Sequence, residues 1–137
     1  MSVTTEAVAV RRGPLVVAGG VLGAIVAASA INAVIALAAH GIGAPDDFQP
    51  LKASSYIFLT TVGLVVGALG WAAVRARAND PEALVRKLVP TLVVVSFVPD
   101  FLLFGDGGVT GVVALLLMHV AVAAVAVVAY RKVMPLK

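Results

Sequence analysis

Two ionisable side chains stand inside long apolar runs, Asp100 and His119. A carboxylate and an imidazole can serve as an acid–base pair, exchange a proton or anchor a ligand's polar group. Either is expensive to hold at membrane depth. Asp100 interrupts residues 88–104 directly after Pro99, and His119 interrupts residues 109–130. Asn32, Thr60 and Ser96 add neutral polar groups to the same class of apolar run. Ser96 and Asp100 are four residues apart and share a helix face, as do Ser29 and Asn32 at three.

The elements that must position these groups follow from composition. Apolar residues make up 61% of 137, and charged residues only 12%. Mean hydropathy is +1.09. That is about half the charge of a soluble domain, so the solvent for this surface must be lipid. With no cysteine, disulfide scaffolds, thiol redox chemistry and Cys-ligated metals are excluded. The net charge of +3 lacks a basic face interleaved with aromatics, so no nucleic-acid partner is expected.

Four apolar segments, 14–39, 53–74, 84–104 and 109–130, are each long enough to cross a ~30 Å hydrocarbon core. The predicted fold is all-α, a polytopic four-transmembrane-helix bundle forming a single domain over residues 1–137. Pro14 suits a first helical turn, and Gly41, Gly43 and Pro45 should end that helix. Asp80-Pro81-Glu82 reads as a cap, a first-turn proline and an acidic first turn. Gly105-Asp106-Gly107-Gly108 reads as a tight turn that makes the last two helices antiparallel neighbours.

With both termini in the cytoplasm, nine of the ten Lys and Arg residues fall inside: Arg11, Arg12, Arg75, Arg77, Arg86, Lys87, Arg131, Lys132 and Lys137. Lys52 alone falls outside, with Asp46, Asp47 and Asp106, which is the positive-inside pattern. Trp71, Tyr130 and Tyr56 are expected at the interfaces as aromatic anchors. Arg11-Arg12 ahead of an apolar run and Ala28-Ser29-Ala30 imitates a cleavable leader. The run continues to Ala39, however, so a retained span is expected.

Counting inward from the outer helix ends at about 1.5 Å per residue puts Asp100 about 6–7 Å deep and His119 near 16 Å. Asn32 and Thr60 come at roughly 10 Å and Ser96 at about 13 Å. Apart from Thr91, the cytoplasmic half carries almost nothing polar, so an outward-opening pocket closing near His119 is expected. The depth gap of roughly 9 Å forbids a direct Asp100–His119 hydrogen bond and makes Ser96 the expected partner of His119. Small residues that allow close backbone approach form two strips: Gly19, Gly23 and Ala27 on the first helix, and Thr60, Gly63, Gly67 and Gly70 on the second. These would pack against each other or against a second copy of the chain.

The segments Leu69-Gly70-Trp71-Ala72, Ser96-Phe97-Val98-Pro99-Asp100 and Leu117-Met118-His119-Val120-Ala121, with the Ala/Val/Gly-rich composition, resemble an uncharacterised family of small four-span membrane proteins from actinobacteria. The resemblance implies the four-helix fold and a multi-pass place in a bacterial inner membrane, and no activity. Better-known four-span proteins fit poorly. The first span lacks the glutamate of small multidrug transporters, and the cysteines of quinone-linked thiol reductases are missing. His40 at a helix end and His119 near the midplane do not suit paired haem ligation.

Function is therefore read as a non-enzymatic accessory or ligand-binding unit in the bilayer, with a pocket of Asn32, Thr60, Ser96, Asp100 and His119. No metal and no cofactor are expected. A lipid-like small ligand, a homo-oligomer or a larger membrane complex would be its partners. The alternatives are a membrane-embedded enzyme using His119 and Asp100 on a lipid-like substrate, and a small proton-coupled transporter.

Overall fold

A computed structural model describes residues 12–136; Arg11 and Lys137, counted in the charge asymmetry, lie outside the described residues. Helix α1 spans Pro14–Gly41, α2 Ala53–Arg77, α3 Pro81–Phe101 and α4 Phe104–Val133, with a short 3-10 turn at Gln49–Leu51. Their ends follow the local chemistry. Pro14 occupies the first turn of α1, where a missing N–H costs nothing. At its other end Gly43 takes φ 115°, and the Ala44 N–H turns back to the Ala39 carbonyl at 2.9 Å. Asp80 caps α3 by accepting the Ala83 N–H at 3.0 Å, with Pro81 in the first turn. Gly108 interrupts α4 with φ 63° and ψ −173°, a conformation that only glycine adopts freely.

Helices α1, α2 and α4 are long and apolar enough to cross a membrane. The shorter α3 differs because Glu82, Arg86 and Lys87 crowd one end and Asp100 stands near the other. Leu22, Val26, Leu37, Phe58 and Leu69 are exposed, each by more than 60%, a surface that only lipid solvates well. This is a membrane protein built as a helical bundle.

The most extensive contact joins α1 to α4, and α2 and α3 make only a slight contact. On α1 the buried stripe is Ala24, Ala28, Asn32, Ala36 and Ala39, which lets the two backbones approach closely. The packing face is thus one residue along from the strip read in the sequence. A Cβ on Gly20 would come within 2.5 Å of Val133, whereas one on Gly19 or Gly23 would meet nothing. Four-residue spacings of small side chains recur on adjacent faces of so Ala-rich a helix. Asn32, the one residue of the stripe that needs a polar partner, marks the face that is used.

Two apolar clusters result. One gathers Leu64, Trp71, Val85, Tyr130 and Val133 with Ala24 and Ala28. The other gathers Ala36, Ala39, Phe48, Leu51, Leu115 and Met118. Phe48 holds the 42–52 connection down on α4, so close to Gly107 that a Cβ there would lie 2.5 Å from its ring. Asn32 sits one helical turn from each cluster, between Ala28 and Ala36.

Candidate functional site

A cleft of about 840 Å³ runs between α2 on one side and α3 and α4 on the other. It exists because α2 and α3 scarcely touch and because α2 lines it with glycine. Gly63, Gly67 and Gly70 all border the space, and a Cβ on Gly63 or Gly70 would meet nothing within 4 Å. Gly67 alone lies against a neighbour, its Cβ position 3.0 Å from the Tyr130 hydroxyl. The glycine face of α2 therefore widens a cavity where close packing on α1 was expected. Gly19 and Gly23 likewise face open space, with nothing among the described residues within 4 Å of an added Cβ.

Asn32 from α1, Thr60 from α2, Ser96 and Asp100 from α3 and His119 from α4 all border this cleft. Asn32 is 2% exposed, and its Nδ2 donates to Thr60 Oγ1 at 3.0 Å. Its Oδ1 is buried with no hydrogen-bond partner among the described residues. Ser96 donates to the Val93 carbonyl of its own helix at 2.6 Å. The expected Ser96–His119 bond is therefore replaced by a local one, the usual competitor for a serine within a helix.

His119 Nδ1 lies 2.8 Å from Asp100 Oδ2, against the predicted separation. The depth ruler fails because it assumed a level rim at residues 105–108. The chain instead continues past Asp100 through turn and helix and breaks only at Gly108. Measured from Gly108, Asp100 is about 12 Å away along the chain and His119 roughly 16 Å, a difference that two side chains bridge. Pro90 and Pro99 stand inside α3, where each removes a hydrogen bond of the helical ladder.

The approach of the pair is sideways. His119 Nδ1 also lies 2.9 Å from the Leu115 carbonyl, which can only accept, so Nδ1 carries a hydrogen and directs it there. Asp100 Oδ2 lies beside the ring nitrogen, off the direction of a hydrogen aimed at Leu115, and no donor among the described residues meets it in hydrogen-bond geometry. The Asp100 side chain is only 9% exposed and the His119 ring 37%. Phe97 meets the ring edge-on at 6.2 Å. The site thus holds a carboxylate oxygen, an amide oxygen and an imidazole beside a wide apolar space.

Below His119 the cleft does not close. It continues along Val89, Val122 and Val127 to Trp71 and Tyr130. These two aromatics, expected at the interface, are buried instead, at 5% and 3% exposure. Tyr130 donates its hydroxyl to the Leu64 carbonyl, and Trp71 Nε1 donates to the Met134 carbonyl at 2.9 Å. Their rings meet at 5.5 Å between centroids. A two-pronged Arg131–Glu82 pair, 2.7 and 2.9 Å, braces α4 against α3 beyond them. Those hydrogen bonds from Arg131 hold the Glu82 carboxyl below its ordinary range.

Residues 9–135 match a family described as being of unknown function, DUF6069. The chain belongs to the DUF6069 family. No curated protein and no solved structure matches it. The resemblance to an uncharacterised family holds at that level, and membership brings no activity with it.

Sequence reasoning had named the five polar residues that border the cleft in this DUF6069 chain. It missed the apolar cleft below them and the aromatic end at Trp71. The signal for the cleft lay in Gly63, Gly67 and Gly70, whose absent side chains serve either a close neighbour or a space. His40, the other histidine, bonds the Ala36 carbonyl at 2.7 Å and does not border the cleft.

Proposed function

We propose that the protein is a ligand-binding membrane unit that takes a lipid-like molecule into the cleft between α2 and the α3–α4 pair. The carrying observation is that polar side chains from all four helices border one otherwise apolar space. A site of that composition anchors a polar head and leaves a tail in the apolar part. Leucine at Gly63 fills the cleft from a position where a side chain meets no obstacle. Purified wild type stripped of loose lipid should retain about one bound lipid by mass spectrometry, and Gly63→Leu should retain none. Equal retention by the two proteins would remove the cleft as the site.

The bundle sits, in this reading, in a bacterial inner membrane with α3 as a fourth span and both ends cytoplasmic. Support comes from the charges gathered at one end. Arg131 meets Glu82 there, and Arg12 donates to the Lys132 carbonyl at 3.0 Å. Arg75, Arg77, Arg86 and Lys87 border the α2–α3 turn at that same end. The cleft's polar groups then lie towards the outer side. The chain contains no cysteine, which makes the test clean. A cysteine at Asp47 should react with an impermeant maleimide in intact cells, and one at Asn79 only after lysis. The reverse pattern would invert the topology.

The Asp100–His119 contact also suits acid–base chemistry on the same bound molecule. Time-dependent conversion of the retained lipid by wild type, abolished in His119→Ala, would turn the binding unit into an enzyme. A proton-coupled transporter has less support, because the Trp71 end of the cleft offers only the Tyr130 hydroxyl, already tied to Leu64.

A further inference from the structure

We propose that the cleft selects an amphiphile with a positively charged, hydrogen-bond-donating amine head on a single alkyl chain. This rests on the reading of the cleft as a lipid-like ligand site and names the chemistry of what it takes.

At the polar end of the cleft three donors are tied to neighbours, while a carboxylate oxygen and an amide oxygen are left without a hydrogen-bond donor among the described residues. The His119 Nδ1 hydrogen goes to the Leu115 carbonyl, the Ser96 hydroxyl hydrogen to Val93, and an Asn32 amide hydrogen to Thr60. Asp100 Oδ2 and Asn32 Oδ1 are buried, and no donor among the described residues meets either in hydrogen-bond geometry. With its hydrogen on Nδ1, a neutral His119 offers Nε2 as a further acceptor. The donors still unspent, the second Asn32 amide hydrogen and the hydroxyls of Thr60 and Tyr56, are neutral. A protonated amine matches this inventory, because N⁺–H groups satisfy a carboxylate and an amide oxygen together through charge-assisted bonds.

The charges that border the cleft argue against the common lipid heads. Among the described residues no lysine or arginine lines it. A phosphate or carboxylate head would be brought beside Asp100 with no fixed cation to offset the repulsion, since the one basic ring there, His119, already lies against Asp100. An alcohol could use the acceptors but would leave the carboxylate's charge uncompensated.

The tail's dimensions follow from α2. From Thr60 to Trp71 the helix rises roughly 16 Å, the length of about a dozen methylenes. Trp71 and Tyr130, fixed by their hydrogen bonds, form the end wall. Because Trp71 is the sole tryptophan, its fluorescence reports directly on a tail that reaches this end.

The test uses full-length protein in zwitterionic nanodiscs at about pH 7, where an alkylamine is protonated. Three dodecyl probes differing only in the head, dodecylamine, dodecanol and dodecanoate, each carry bromine at the chain end as a quencher. Dodecylamine should quench Trp71 saturably and bind tighter than dodecanol by about tenfold or more, the effect of one charge-assisted hydrogen bond. Dodecanoate should bind more weakly than either. Asp100→Asn should bring dodecylamine down to the dodecanol value and leave dodecanol unchanged. Equal or tighter binding of dodecanoate by wild type, which needs no variant to fold, overturns the head-group assignment and leaves the cleft standing. If Gly63→Leu quenches as wild type does with every probe, the cleft reading falls too.

Discussion

Trp71→Ala will lower the stability of the bundle by about 3 kcal/mol, the low end of what removing a buried large aromatic costs. The low end applies because lipid already solvates apolar groups, which shrinks the transfer contribution and leaves the cavity contribution. Trp71 is 5% exposed, tilts against Tyr130 and lies beneath the Arg131 guanidinium at 5.9 Å from its ring centre. Its indole N–H also holds the Met134 carbonyl, so the substitution frees the segment after α4. Trp71→Phe keeps most of the ring contact and loses that bond, for about 1 kcal/mol. Unfolding followed by circular dichroism gives both values. A loss below about 1 kcal/mol for the alanine variant would show that this end of the bundle is not a packed core.

Asp100→Leu is expected to act in the opposite direction and to stabilise the ligand-free protein by about 1–3 kcal/mol, the range for an unsatisfied buried polar group. Asp100 Oδ2 is enclosed, accepts no hydrogen bond among the described residues and has the His119 ring nitrogen beside it at 2.8 Å. Leucine removes that desolvation cost and has the cleft to expand into. The gain comes with a loss, because the same variant should no longer distinguish an amine head from an alcohol. Stability measured without ligand, set beside probe affinity, separates the two effects. A destabilisation of similar size would mean that the carboxylate is a structural tie, and the case for a waiting ligand site would fail with it.

Much of this was legible in the residues, and the failures have physical causes. The Asp80-Pro81-Glu82 start of α3 and the glycine end of α1 are local chemistry and came out as read. Asn32, Thr60, Ser96, Asp100 and His119 were recognisable because polar groups in apolar runs are few, and any shared space had to include them. Distances were not legible. The roughly 9 Å ruler between Asp100 and His119 depended on straight helices and a level turn. The kink at Gly108, which merges the expected turn into the start of α4, removes both conditions. Small-residue strips were ambiguous because glycine permits contact without demanding it. The same motif that brings Gly20 against Val133 leaves Gly63 facing a void. Phe48 was hidden by its neighbours, since Asp46 and Asp47 made its loop look wholly solvated.

The dominance of the α1–α4 contact bears on how the protein is made. Of the four helices, α1 is synthesised before the other three and finds its main partner only when α4 emerges, so its alanine stripe and buried Asn32 wait through the synthesis of α2 and α3. An amide lying unpacked in the bilayer during that interval is the kind of feature that insertion chaperones shield and quality-control proteases recognise. Asn32 can bond Thr60 as soon as α2 inserts, which satisfies one side of the amide early. The buried polar pair that later borders the cleft would thus first serve as a temporary clasp during biogenesis, holding α1 in register until the chain closes on itself.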